Sequence, residues 1–201
     1  MKNLIRNVLF LFVLLFFSSQ TTLAQEYFNP DALTASRENN FYIGIASGVE
    51  SFTGMIGPSL EAKVAKRFAL YAGAGVGGWG YKVSGGVKLY KGFPYRWAYC
   101  GSFSYASGLK DFKVRMETAS GSREVLMDLL PCQTFNLSAQ HHWKIGNGSN
   151  RFNIEFGLSF PFTKNAYTIK DGSVLTSEST LVMKILQPGG LMAGIGFSFG
   201  K

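Results

Sequence analysis

Apolar and small or polar residues alternate with a period of two in eight separate segments of this chain, and the alternation is purest at the end, in GGLMAGIGFSFG. There Leu191, Ala193, Ile195, Phe197 and Phe199 fall on one side, with Met192, Gly194, Gly196 and Ser198 on the other. Successive side chains of a strand point to opposite faces, so one face is apolar and aromatic while the other is nearly bare. Such a strand, closing a chain that opens with an export signal, predicts a transmembrane β-barrel of a bacterial outer membrane.

Seven further segments repeat the pattern. In the first, Phe41, Ile43, Ile45 and Val49 oppose Tyr42, Gly44, Ala46 and Gly48; in the second, over 57–65, Leu60, Ala62 and Val64 oppose Ser59, Glu61 and Lys63. The third sets Phe68, Leu70, Ala72, Ala74 and Val76 against Tyr71, Gly73, Gly75 and Gly77; the fourth sets Tyr81, Val83, Val87 and Leu89 against Lys82, Ser84, Gly86 and Lys88. In the fifth, Trp97, Tyr99, Phe103 and Tyr105 oppose Ala98, Cys100, Ser102 and Ser104. The sixth runs over 135–143 and the seventh over 152–162, the latter with Phe152, Ile154, Phe156, Leu158, Phe160 and Phe162 on its apolar face. An all-β, eight-stranded antiparallel up-and-down barrel follows, with the even strand count of single-chain bacterial barrels. The connections support it. Turns after the even strands, at 66–67, 91–96 and 144–151, are short, while the two long connections, 108–130 and 163–190, fall on one side, the side expected outside the cell.

The export signal consists of Lys2 and Arg6, an unbroken apolar run over 8–17, and a Thr-Leu-Ala ending at Ala24. Residues 1–24 are therefore expected to be a signal peptide cleaved after Ala24. Residues 25–40 are expected to be a periplasmic N-terminal segment, either a short helix, with Asn29-Pro30-Asp31 as its start, or a loose tail, and 41–201 the outer-membrane barrel domain.

Residue size decides which face meets lipid. Glycine and serine suit the crowded interior of an eight-stranded barrel, whereas the aromatic face is too bulky to converge there. An interfacial girdle is expected at Phe41, Trp97, Trp143, Phe152, Tyr105 and Phe162. The lumen receives Glu50, Glu61 and Glu155 against Lys63, Lys82 and Lys88, three charges of each sign that would form ion pairs and fill the bore. The net charge is +8, and Lys66, Arg67, Lys91, Arg96, Lys144 and Arg151 form a basic ring at the periplasmic turns. That placement suits headgroups or solvent; nucleic acid is not an expected partner.

A hairpin tip at 119–122 makes paired positions of the fifth and sixth strands sum to about 240, which sets Trp97 opposite Trp143. Cys100 and Cys132 then lie about 26 Å apart, too far for a disulfide. Gly73, Gly75 and Gly78 match G-x-G-x-x-G, yet no helix follows, so no nucleotide site is expected. His141 and His142 adjoin Trp143, and an interfacial role for the first and a lumen or turn role for the second are expected over catalysis. Gly194 and Gly196 are expected to leave room for Tyr42 and Tyr71, and no cofactor or metal is expected.

The eight alternating segments, the signal ending Thr-Leu-Ala-Gln and the GIGFSFG terminus resemble the small outer-membrane β-barrel family, whose architectures include the OmpX and OmpA membrane domains. The resemblance spans about residues 41–199 and is one of pattern. It implies outer-membrane lipids, periplasmic chaperones and the barrel assembly machinery as partners. The function expected is non-enzymatic: an envelope-structural or surface-interaction barrel acting through the 108–130 and 163–190 loops. A barrel enzyme modifying lipid or peptide, or a small-solute channel, are the alternatives.

Overall fold

The computed structural model describes residues 40–91, 96–146, 148–163 and 165–200. The expected signal peptide, the segment 25–39 and Lys201 lie outside the described residues.

Eight strands close into an antiparallel barrel: β1 (Phe41–Val49), β2 (Ile56–Ala65), β3 (Phe68–Gly77), β4 (Gly80–Lys91), β5 (Trp97–Ala106), β8 (Cys132–Ile145), β9 (Asn150–Pro161) and β11 (Gly190–Gly200). Each pairs with the next in this order, and β11 returns to β1 with Ile43 beside Phe199 and Val49 beside Ala193. Every strand expected from alternation is present within a few residues of its expected bounds.

The barrel is apolar outside and polar inside. Ile43, Ile45, Leu70, Val87, Phe103 and Ile195 are each 50–63% exposed, whereas Glu61, Lys82, Lys88, Asn136, Gln140 and Glu155 are buried. The alternation of the sequence causes this, because a closed sheet gives every strand one face toward the bore and one away from it.

The two long connections are not loops. Residues 108–130 form a hairpin of β6 (Leu109–Thr118) and β7 (Gly121–Leu129), and 163–190 contribute β10 (Tyr167–Ile169) and the helix α1 (Ser177–Leu186). Together β10, β7 and β6 make a three-stranded sheet beyond one end of the barrel, the lobe end. Its apolar side, with Met116, Val125, Met127 and Leu129, packs with Met183 of α1 and with Trp79 and Ala106 from the barrel rim. Its other side carries exposed Lys113, Arg115, Glu117 and Glu124. The hairpin is thus itself a period-two element, and its charged face is what makes it read as a loop.

The hairpin also corrects the register. Its turn is two residues long, Thr118 pairing with Gly121, and a bulge between Leu109 and Phe112, with Asp111 at φ 53°, inserts one extra residue on the β6 side. Trp97 consequently faces His141 rather than Trp143. Cys100 pairs with Ser138 and Cys132 with Ala106, six ladder steps apart, so the two buried thiols are separated by roughly 20 Å.

The short connection after β1 folds inward. Ser51, Phe52 and Thr53 are all buried, Thr53 Oγ1 donates to the Ala46 carbonyl at 3.1 Å, and the Phe52 ring meets Tyr71 edge-on at 5.2 Å. Space for it comes from Gly73, where an added Cβ would lie 2.7 Å from the Phe52 ring and 2.8 Å from the Thr53 methyl. The bare face of β11 has the same role. At Gly194 a Cβ would lie 3.2 Å from Ser51, and at Gly196 it would lie 2.7 Å from the Asn153 amide, so these positions clear Ser51 and Asn153 rather than Tyr42 and Tyr71.

Candidate functional site

The bore holds three tiers of polar side chains, all but Glu50 on the inward parity of a strand. Nearest the turn end, Glu61 of β2 is the hub: Lys88 Nζ of β4 reaches Oε2 at 2.9 Å, and Arg151 Nη2 of β9 reaches Oε1 at 3.0 Å. Tyr90 donates its hydroxyl to the same Oε1 and accepts from Arg151 Nη1 at 3.1 Å. The Arg151 guanidinium lies 3.3 Å from the centre of the Tyr42 ring, and Lys88 Nζ lies 4.9 Å from that of Tyr71. One carboxylate thus holds two cations whose remaining faces rest on aromatic rings, an arrangement that offsets much of the cost of removing them from water.

The middle tier is neutral apart from Glu155. Asn136 Nδ2 donates to Ser102 and Ser104 Oγ at 3.2 and 2.6 Å, while its Oδ1 accepts from Thr134 and Ser159 at 3.1 and 2.7 Å. Ser138 Oγ donates to Glu155 at 2.6 Å. At the lobe end Lys82 Nζ meets both the Glu50 carboxylate, at 3.2 Å, and the Glu50 carbonyl, at 3.1 Å. Glu50 itself adopts φ 50°, where the chain turns inward to the buried 51–53 segment.

The expected lumen residues Glu50, Glu61, Glu155, Lys82 and Lys88 therefore do converge on the bore, but not as three simple pairs. Lys63 is half-buried, with its Nζ 5.2 Å from the Tyr90 ring, and Glu155 is held by Ser138. Arg151, expected in the basic ring, is instead the second cation on Glu61. Its parity with Asn153 and Glu155 on β9 is the sequence signal that places it inside, and counting it as a turn residue hides that signal. Lys66, Arg67, Arg96 and Lys144 are exposed at the turn end, and Lys91 is half-buried there.

The expected girdle residues all lie on the outer wall. Phe41, Trp97 and Trp143 are exposed near the turn end, and the half-buried Phe152 ring lies 5.8 Å from that of Trp143; Tyr105 and Phe162 are exposed near the lobe end. His141 sits between the two tryptophans, its ring 4.7 Å from Trp97 and 4.2 Å from Trp143. His142, on the opposite parity, is buried in the bore with its ring 5.7 Å from Tyr90. Neighbours on a strand point to opposite faces, so the two histidines cannot serve one reacting group.

No protein-family model matches this chain, and no curated protein is similar to it. The geometry of the chain itself therefore carries whatever function is assigned to it.

The lobe is fastened by polar contacts that depend on ionised carboxylates. Lys170 Nζ bridges Asp111 at 2.7 Å and Asp128 at 3.0 Å, and Asp128 also accepts the Asp111 amide at 2.8 Å. Asp171 accepts from the backbone amides of Ser173 and Leu126 at 3.0 and 3.1 Å. Hydrogen bonds from Ser173, then from Leu126, lower the Asp171 carboxyl from 3.8 to about 2, and the Asp111 amide followed by Lys170 lowers that of Asp128. A carboxylate with a depressed folded pKa stabilises the fold above its unfolded value and loses that contribution as pH falls toward the folded one. The lobe is thus expected to loosen between about pH 4 and pH 2 while the barrel stays closed. Fluorescence of Trp79, buried in the lobe core, in a chain carrying Trp97→Phe and Trp143→Phe, reads this directly; emission unchanged down to pH 2 would contradict it.

Proposed function

We propose that this chain is an integral outer-membrane β-barrel, exported by its N-terminal signal and similar in architecture to the small OmpX-like barrels, with a filled bore and no enzymatic activity. Its role is to stabilise the envelope or to engage partners at the surface through the lobe of β6, β7, β10 and α1. The observation that carries this reading is the inverted barrel, with a wall of exposed aliphatic and aromatic side chains around an ion-paired interior. Soluble monomers rarely expose contiguous apolar patches beyond a few hundred Å², whereas a bilayer solvates such a wall and leaves no backbone group of a closed barrel unsatisfied. Strands of 9–14 residues are long enough to cross the hydrocarbon core when tilted.

The filled bore favours a non-conducting barrel over a solute channel. Phe52 and the Glu61 cluster occupy the interior, and the hollow beside them at Tyr42, Phe52 and Glu61 is only about 10 Å³, no more than one water. Expressed with its own leader in a bacterium with two membranes, the protein is expected in the outer-membrane fraction, with trypsin added to intact cells cutting the lobe at Lys113 or Arg115. Purified into planar bilayers, it is expected to give no ion steps. Recovery in the soluble periplasmic fraction would overturn the membrane reading, and steady conductance would overturn the filled bore.

A further inference from the structure

The helix α1 has two unlike sides. Ser179 and Met183 are buried against the lobe, while Leu181, Val182, Ile185 and Leu186 are 58, 46, 71 and 61% exposed. Four large aliphatic side chains at i, i+1, i+4 and i+5 form one stripe along the helix, and nothing among the described residues covers it. Thr176 caps the start of α1, its hydroxyl accepting from the Ser179 amide, so the stripe is presented on a formed helix.

The position of α1 says what covers that stripe. Its end is pinned to the barrel rim: Pro188 is buried in a hollow shared with Glu50, Trp79, Lys82 and Ala106, and Gly189 lies against Pro161, where an added Cβ would be 2.8 Å from the proline ring. Four residues separate Leu186 from Leu191, the first outward side chain of β11, so the five Cα steps between them leave the stripe ending within about 17 Å of the barrel's apolar wall. That wall is apolar up to its edge on this side. Leu191 is 78% exposed, and Val49 at the end of the adjoining β1, Met55 just before β2 and Ile56 at its start are 70, 61 and 55% exposed. Lys184 is exposed on the flank of the stripe, beside Leu181, a long side chain able to bury its stem and keep its ammonium at the level of lipid phosphates.

The geometry points to α1 as a membrane-interfacial helix: its Leu181, Val182, Ile185 and Leu186 stripe lies in the acyl region of the leaflet around the lobe end of the barrel, and lipid is its partner. This rests on the membrane reading above and adds to it. The lobe is then held down at α1, and its charged β6–β7 face is the side turned toward other surface molecules.

The test uses the full chain with a single environment-sensitive fluorophore on Ile185→Cys, Val87→Cys or Lys113→Cys, reconstituted into phosphatidylcholine–phosphatidylglycerol vesicles with brominated acyl chains. Cys100 and Cys132 are buried and stay unlabelled. The labels at 185 and 87 are expected to lose about half of their emission to brominated chains, and the label at 113 to keep its own. Quenching at 87 without quenching at 185 would overturn the interfacial helix and leave the barrel in the membrane. No quenching at any of the three would overturn the membrane reading itself. A label at 185 shielded only at high protein-to-lipid ratios would assign the stripe to a second copy of the chain and overturn lipid as the partner.

Discussion

Glu61→Gln is expected to destabilise the barrel by about 3–5 kcal/mol, because it removes the one carboxylate that holds both Lys88 and Arg151 inside the bore. The amide that replaces it keeps one acceptor oxygen and turns the other into a donor, so two cations remain buried without a counter-charge, and Tyr90 loses its acceptor of strongest basicity. The loss is read as a shift in the urea midpoint for unfolding from detergent micelles or vesicles. Arg151→Met in the Glu61→Gln background is expected to recover part of the loss, since it removes one stranded charge while keeping an unbranched side chain beside the Tyr42 ring. Additive losses in the double variant would show that Glu61 and Arg151 do not act as a unit.

Gly73→Leu is expected to cost about 1–3 kcal/mol from overpacking at a site that already has no room for a Cβ. The atoms in the way belong to Phe52 and Thr53, so the new side chain expels the inward segment before it disturbs the ladder. Expulsion has a second readout. With Phe52 displaced from Tyr71, the bore loses its largest apolar filler, and single-channel events absent from the parent protein are expected in planar bilayers. Combining Gly73→Leu with Phe52→Ala should restore stability while keeping the bore open. A stability loss unchanged by Phe52→Ala would place the clash in the strand rather than in the tucked segment.

Parity was enough to place most of the bore. Glu61, Lys88, Glu155, Ser102, Ser104 and Ser138 all point where alternation assigns them, because a closed sheet translates a period of two directly into inside and outside. Arg151 obeys the same rule and becomes legible once β9 is extended two residues toward its start, to Asn150. Other features leave no local trace. The 51–53 segment carries the composition of an ordinary exposed turn, and its burial depends on Gly73 and Gly194, 20 and 141 residues further along the chain from Thr53. The bulge near Asp111 moves the β5–β8 pairing, yet it is visible only where the hairpin meets the rim and Gly108 donates to the Trp79 carbonyl at 3.0 Å.

By itself the sequence determined the number of barrel strands, their bounds to within a few residues, and which face of each looks inward, since all three are local consequences of side chains alternating along an extended backbone. Only the tertiary structure decided the partners: that Glu61 takes Arg151 as well as Lys88, that Phe52 turns inward onto Tyr71, and that α1 is pinned at the rim with its aliphatic stripe uncovered. Alternation sets direction but not height. Which inward side chains meet across the bore depends on strand register, on a single bulged residue and on which connections fold back, and those are settled by packing across the closed barrel.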